Sequence, residues 1–296
     1  MPQDQTIIDE RTLAARLSDY NELLKFRLAS LVVFSAALAY LLGWDGSVNW
    51  LQFTALIVGG FLITGGSNGL NQLFEKDTDK LMVRTQNRPL PAMRMSSTEA
   101  LVVSVLAGGL GLFLLFYFLN FKSGVLGLIA LISYAFVYTP MKRATPFAVF
   151  VGAFPGAIPT LLGWVAATDQ FSYQGWILFA IQFMWQFPHF WAIAWKLYDD
   201  YKLAGFEMLP AGGKTKASAF QTAVYTFTLI PIGLFPYFFR MSGIVSAVII
   251  TLTGIYFFYL SIKLLKSCND NDAKKLMFGS FVYLPVVLIA LVLDKI

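Results

Sequence analysis

Asn68, Asn71, Glu75 and Asp79 recur at intervals of three, four and four in the segment GGSNGLNQLFEKDTDKLMVRTQNRPLP. On a helix that spacing puts all four on one face, while Asp77 points elsewhere. Two carboxylates one turn apart with an amide oxygen behind them are donors suited to Mg²⁺, a hard cation that keeps waters and shares substrate phosphates. Arg84 and Arg88 follow one turn apart before Pro89, with Thr85 and Asn87 in the same run. Donors matched to phosphate oxygens thus stand beside candidate metal ligands. A solvated helix end with ion pairs to Lys76 or Lys80 explains the acidic spacing alone, but it does not require the arginines.

A second constellation lies in WQFPHFWAIAWKLYDDYKLAGFEMLP. At helical periodicity Gln182, Gln186, His189, Lys196 and Asp200 fall within an arc of about 80°, which predicts a polar stripe facing the interior. His189 is the only histidine and follows Pro188, whose ring removes a helix hydrogen bond; a hydrogen-bonded packing role accounts equally well for a lone histidine in an aromatic helix. Asp199 and Asp200 are predicted to end this helix on the same membrane face as Glu75 and Asp79, with surface acids beside Lys196 and Lys202 as the alternative. Lys142 and Arg143, in YTPMKRATPF, add basic donors on that face, although a positive inner loop would also place them there. Two acidic helix ends holding Mg²⁺ against a diphosphate would ease carbon–oxygen cleavage by stabilising the leaving group.

The elements that must position these groups are membrane helices. Of 296 residues, 57% are hydrophobic and only 13% charged, with mean hydropathy +0.64, whereas soluble domains carry roughly 25% charge. That excludes a soluble enzyme. The 16% aromatic content excludes disorder, and the single cysteine, Cys268, excludes a disulfide scaffold. Long, non-alternating apolar runs satisfy their backbone in lipid only as helices. The fold class is therefore all-α and polytopic, with nine spans at roughly 27–44, 51–74, 98–119, 124–140, 146–167, 174–197, 218–239, 243–265 and 276–294. Residues 1–24 form a polar segment without the pattern of a cleaved signal or transit peptide, and no linker divides the chain, so 1–296 is expected to be one integral-membrane domain. With the N-terminus cytoplasmic, 19 of the 22 Lys and Arg residues fall on that side. The net charge of +5 then follows from topology and calls for no nucleic-acid partner.

The run from Asn71 to Asp79, with RTQNRPLP after it, resembles the first acidic motif of the UbiA-type intramembrane prenyltransferases, NxxxDxxxD, with Glu75 in place of the first Asp. YTPMKRATP, GAFPGAIPTLLGW and WQFPHFWAIAWKLYDDYKLAGFEMLP resemble the protoheme IX farnesyltransferase, or haem O synthase, branch of that superfamily, over about residues 25–295. The second superfamily motif, often DxxxD, is represented by the adjacent Asp199 and Asp200, either of which would be the ligand. The resemblance implies a nine-helix bundle around a central cavity and Mg²⁺-dependent transfer of farnesyl from farnesyl diphosphate to a vinyl group of haem b, with release of diphosphate. It implies Asn71, Glu75, Asp79, Asp199 and Asp200 as metal ligands and Arg84, Arg88, Lys142 and Arg143 as diphosphate donors. A contact of His189 with the haem iron or a propionate is our own addition. Implied surroundings are the bacterial plasma (inner) membrane and terminal-oxidase assembly proteins; the odd number of spans puts the C-terminus opposite the cytoplasmic N-terminus. The rivals are a prenyltransferase for another aromatic acceptor, such as a quinone precursor, and a secondary transporter. Acidic groups gathered at one face argue against the mid-membrane site of a transporter.

Overall fold

In hydrocarbon every backbone N–H and C=O must find its partner inside the chain, and in this chain the helix supplies it. The computed structural model describes residues 12–296 and contains no strand among them. The first eleven residues, including Arg11 and the acidic Asp4, Asp9 and Glu10 of the polar segment, lie outside the described residues. Nine helices among the described residues are long and apolar enough to cross a membrane, at the positions predicted. The protein is therefore an integral membrane protein of the all-α class.

The part of the polar segment that is described forms α1 (Leu13–Leu24), capped by the Thr12 hydroxyl, which accepts from the Ala15 N–H. Lys25 then takes a left-handed conformation, φ 51°, and turns the chain into the first span, α2 (Phe26–Gly43). Such a backbone costs a residue with a Cβ about 1–2 kcal/mol. Here it brings the Lys25 side chain into the cleft described below.

The second span, α3 (Trp50–Asp79), runs for 30 residues and carries the acidic face without a break to Asp79. It is followed by a turn-rich loop and α4 (Ser97–Phe118). The fourth span is composite, with α5 (Phe121–Ile132), a π-helical turn (Ser133–Tyr138) and α6 (Thr139–Met141). Then come α7 (Ala148–Thr168), which contains Pro155 and Pro159, and α8 (Tyr173–Lys196), which continues through Pro188. The sequence predicts one helix as far as Asp200. Instead α8 ends at Lys196, Leu197 leaves helical geometry, and Asp199 and Asp200 belong to a separate short helix, α9 (Tyr198–Leu203). The bundle closes with α10 (Lys216–Gly233), α11 (Phe235–Phe238), α12 (Ile244–Ser267) and α13 (Asp270–Leu293).

Water provides no driving force between helices in lipid, so close backbone approach does. At the α2–α7 crossing a Cβ on Gly163 would lie 2.0 Å from the Ala36 carbonyl oxygen. Backbone cannot swing aside as a side chain can. Gly163→Ala is expected to destabilise the fold by about 1–3 kcal/mol through overpacking, visible as a lower unfolding midpoint in detergent.

Candidate active site

The end of α3 divides its polar side chains between two tasks. Asn68 Nδ2 donates to the Leu24 carbonyl at 3.3 Å, and Gln72 Nε2 donates to the carbonyls of Glu22 and Leu23 at 3.0 and 2.7 Å. These bonds satisfy carbonyls at the end of α1 that have no intrahelical partner. Arg94 ties the following loop to the same helix, through Asp19 at 2.8 Å and Glu22 at 2.9 Å. Asn71, Glu75 and Asp79 instead face a polar cleft of about 120 Å³, which Lys25, Arg84, Arg88 and Lys142 also line.

Two buried ion pairs organise the cleft. Arg88 Nη1 donates to Asp79 Oδ2 at 2.7 Å, and Lys142 Nζ lies 2.9 Å from Glu75 Oε1. Lys25 Nζ donates to Asn71 Oδ1 at 3.4 Å, while Asn71 Nδ2 donates to Thr139 Oγ1 at 3.1 Å. Thr139 Oγ1 in turn donates to the Tyr134 carbonyl across the π-helical turn. The wider turn brings Tyr134 and Tyr138 to the cleft wall, and Lys142 Nζ sits 4.7 Å from the centre of the Tyr138 ring.

Four basic side chains thus face two carboxylates, leaving positive charge for an anion. Burial works against the Lys142 ammonium, but Glu75 beside it outweighs that and holds its pKa above the usual lysine value. Lys25 has no such partner. Burial, reinforced by Arg88 and Lys142, draws it down to about 7 against the opposing pull of Glu75 and Asp79. An anion in the cleft favours charged Lys25, so above pH 7 binding must take up a proton. The KM for a diphosphate substrate is therefore expected to rise from about pH 7 upward, by at most roughly tenfold per pH unit. Lys25→Met should flatten the rise, as measured by KM against pH.

Asp79 Oδ1 is buried with no hydrogen-bond partner among the described residues, whereas Glu75 Oε1 is held by the Lys142 ammonium at 2.9 Å. A buried carboxylate oxygen without a partner is costly unless a cation completes it. With the Glu75 carboxylate and the Asn71 amide on the same helix face, Asp79 Oδ1 fits a hard divalent ion.

The other expected ligands lie elsewhere. Asp199 is exposed, and Asp200 accepts at 3.4 Å from the Arg84 backbone N–H. Neither lines the cleft, because the break at Leu197 turns α9 so that Tyr201 faces it instead. No group of three or more acidic, His or Cys side chains forms a ready cage among the described residues. Arg143 donates to Thr78 Oγ1 and lines no part of the cleft; as the neighbour of Lys142 it leaves the chain in another direction. The predicted stripe on α8 is shorter than expected, since Gln182, Gln186 and His189 face a cavity and Lys196 is exposed.

That cavity is an apolar chamber of about 240 Å³. Tyr134 and Tyr138 line both chamber and cleft and so mark where the two meet. Leu28, Leu31 and Phe34 of α2 and Phe281 of α13 line the chamber while remaining exposed, so it opens toward lipid between those helices. The sequence reading missed Lys25, Tyr134 and Tyr138. The four-residue steps from Tyr134 to Tyr138 to Lys142 were available as a signal, whereas nothing local marks Lys25.

The model of the UbiA prenyltransferase family matches residues 32–284. The chain belongs to that family. Among family members, the protoheme IX farnesyltransferase of Cytophaga hutchinsonii is 47% identical over 285 residues, covering 96% of this chain and 100% of that protein. The solved structure of a digeranylgeranylglyceryl phosphate synthase superposes with TM-score 0.79 at 21% identity, over 95% of this chain and 98% of that one. A UbiA homolog from Archaeoglobus fulgidus, bound to GPP and Mg²⁺, superposes with TM-score 0.65 at 16% identity, over 92% and 99%. The two structures establish the shared fold of this prenyltransferase family, and the closer sequence match narrows the branch.

Proposed function

We propose that this prenyltransferase moves a farnesyl group from farnesyl diphosphate to a vinyl carbon of haem b and releases diphosphate. The observation that carries the reading is the junction at Tyr134 and Tyr138 between a cationic cleft, in which Asp79 Oδ1 has no partner among the described residues, and an apolar chamber lined by the lone histidine. A prenyl diphosphate has the same division between a charged head and an apolar tail. The sequence relationship to protoheme IX farnesyltransferases supplies the acceptor.

Asn71, Glu75 and Asp79 would hold Mg²⁺, which when bound neutralises charge that builds on the departing diphosphate. Arg84, Arg88, Lys142 and Lys25 hold the diphosphate oxygens. As the bond from C1 of farnesyl to oxygen breaks, its electron pair leaves with the diphosphate. The vinyl π-electrons form the new bond to C1. Water then captures the resulting cation beside the porphyrin and loses a proton, leaving a hydroxyethylfarnesyl group. The aromatic walls keep water from the allylic cation until the vinyl group has reacted. Asp199 and Asp200, at the rim beside Arg84, remain our candidates for a further metal contact, and Arg143 for an outer diphosphate donor. His189 would ligate the haem iron. We place the N-terminus in the cytoplasm and the C-terminus outside a bacterial inner membrane, with oxidase assembly as the consumer of the product.

The deciding experiment supplies purified protein with farnesyl diphosphate, Mg²⁺ and either haem b or a hydroxybenzoate, and reads the products by mass. Farnesylated haem is the expected result. Prenylation of the phenolic acid alone would overturn the acceptor assignment.

A further inference from the structure

His189 lines the chamber, and its Nδ1 lies 2.7 Å from Ser280 Oγ on α13. That hydroxyl has a single proton, and Oγ also lies 2.5 Å from the Met277 carbonyl oxygen. Two oxygens so close need the proton between them, so the hydroxyl donates to Met277 and its lone pair faces the imidazole. Nδ1 must then carry a hydrogen and donate to Ser280. The unprotonated nitrogen is Nε2, which has no hydrogen-bond partner among the described residues and is not fully enclosed by protein. Ring orientation is fixed as well. Trp185 stacks on His189 with centroids 4.5 Å apart and planes 18° apart, and its Nε1–H donates to the Ser280 carbonyl at 2.9 Å. Phe281 also packs against the ring, with centroids 5.0 Å apart and planes at 76°.

We propose that Ser280 is a positioning residue for the acceptor: by accepting the Nδ1 hydrogen it fixes the tautomer and direction of His189, so that the Nε2 lone pair is presented to the iron of haem b. This rests on the reading of haem b as acceptor. Histidines that ligate metals commonly donate their second ring hydrogen to an oxygen, which fixes the ring and raises its basicity, and loss of that partner costs about 10–100-fold in metal affinity. Ser280 is fully buried and lies 91 residues from His189. The contact therefore also joins α8 to α13 across the wall of the chamber.

The test is titration of purified, membrane-embedded protein with haem b, followed by resonance Raman spectroscopy of the ferrous complex. Wild type should show an iron–histidine stretching band that His189→Ala abolishes. Ser280→Ala should lower the frequency of that band and weaken haem binding about 10–100-fold, and Ser280→Thr should restore both. An unchanged band and affinity in Ser280→Ala, or no such band in wild type, would overturn the proposal. Product analysis of the same preparations separates this from the parent reading: failure to form farnesylated haem sinks the transfer reaction, whereas normal product with an unaltered band sinks only the role of Ser280.

Discussion

Asp79→Ala is expected to reduce turnover by about 10³-fold, or roughly 4 kcal/mol of transition-state stabilisation, while leaving a folded, membrane-inserted protein. Asp79 is fully buried, with one oxygen bound to Arg88 and the other without a partner among the described residues. Its removal therefore takes away a ligand position and leaves a guanidinium without its counter-ion. Asp79→Asn separates these effects, because the amide keeps an oxygen for Arg88 but loses the negative charge. Product formation from radiolabelled prenyl diphosphate, with monodispersity in detergent as the check on folding, measures both. Ordinary turnover in Asp79→Asn would defeat the metal assignment.

Arg88→Ala should raise the KM for farnesyl diphosphate by about 10–100-fold and leave the KM for haem b nearly unchanged. Arg88 lines the cleft but not the chamber, so only the charged substrate loses its donor. Arg88→Lys should recover part of the loss, since an ammonium restores the charge but not the planar fork that grips two oxygens at once. Initial rates with each substrate varied in turn provide the measurement. An equal rise for both substrates would contradict the role given to Arg88.

The parts of this molecule governed by local pattern were legible in the sequence. The nine spans follow from run length and hydropathy, and the faces of Glu75 and Asp79 from helical spacing, because α3 stays helical through Asp79. The same spacing failed on α8, where the break at Leu197 removes Asp199 and Asp200 from the register that the 3.6-residue period would give them. That break has no proline or glycine to announce it. Lys25 was hidden for a different reason: a left-handed residue between two helices looks like any lysine at a membrane boundary, and only the folded chain shows it beside Asn71. Likewise the contact between His189 and Ser280 depends on the docking of two distant helices, which no spacing along either one encodes.

The paired charges in the cleft have a consequence for the order of events. Because Lys142 and Arg88 already pair with Glu75 and Asp79, a metal arriving alone at the open Asp79 oxygen is repelled by two cations held beside its ligands, and a pyrophosphate group arriving alone draws those cations away from carboxylates left without a counter-charge. Together the two exchange partners at once. Each is thus an effector of the other, and thermodynamic reciprocity requires that whatever factor Mg²⁺ adds to the affinity for the prenyl donor, the donor adds to the affinity for Mg²⁺.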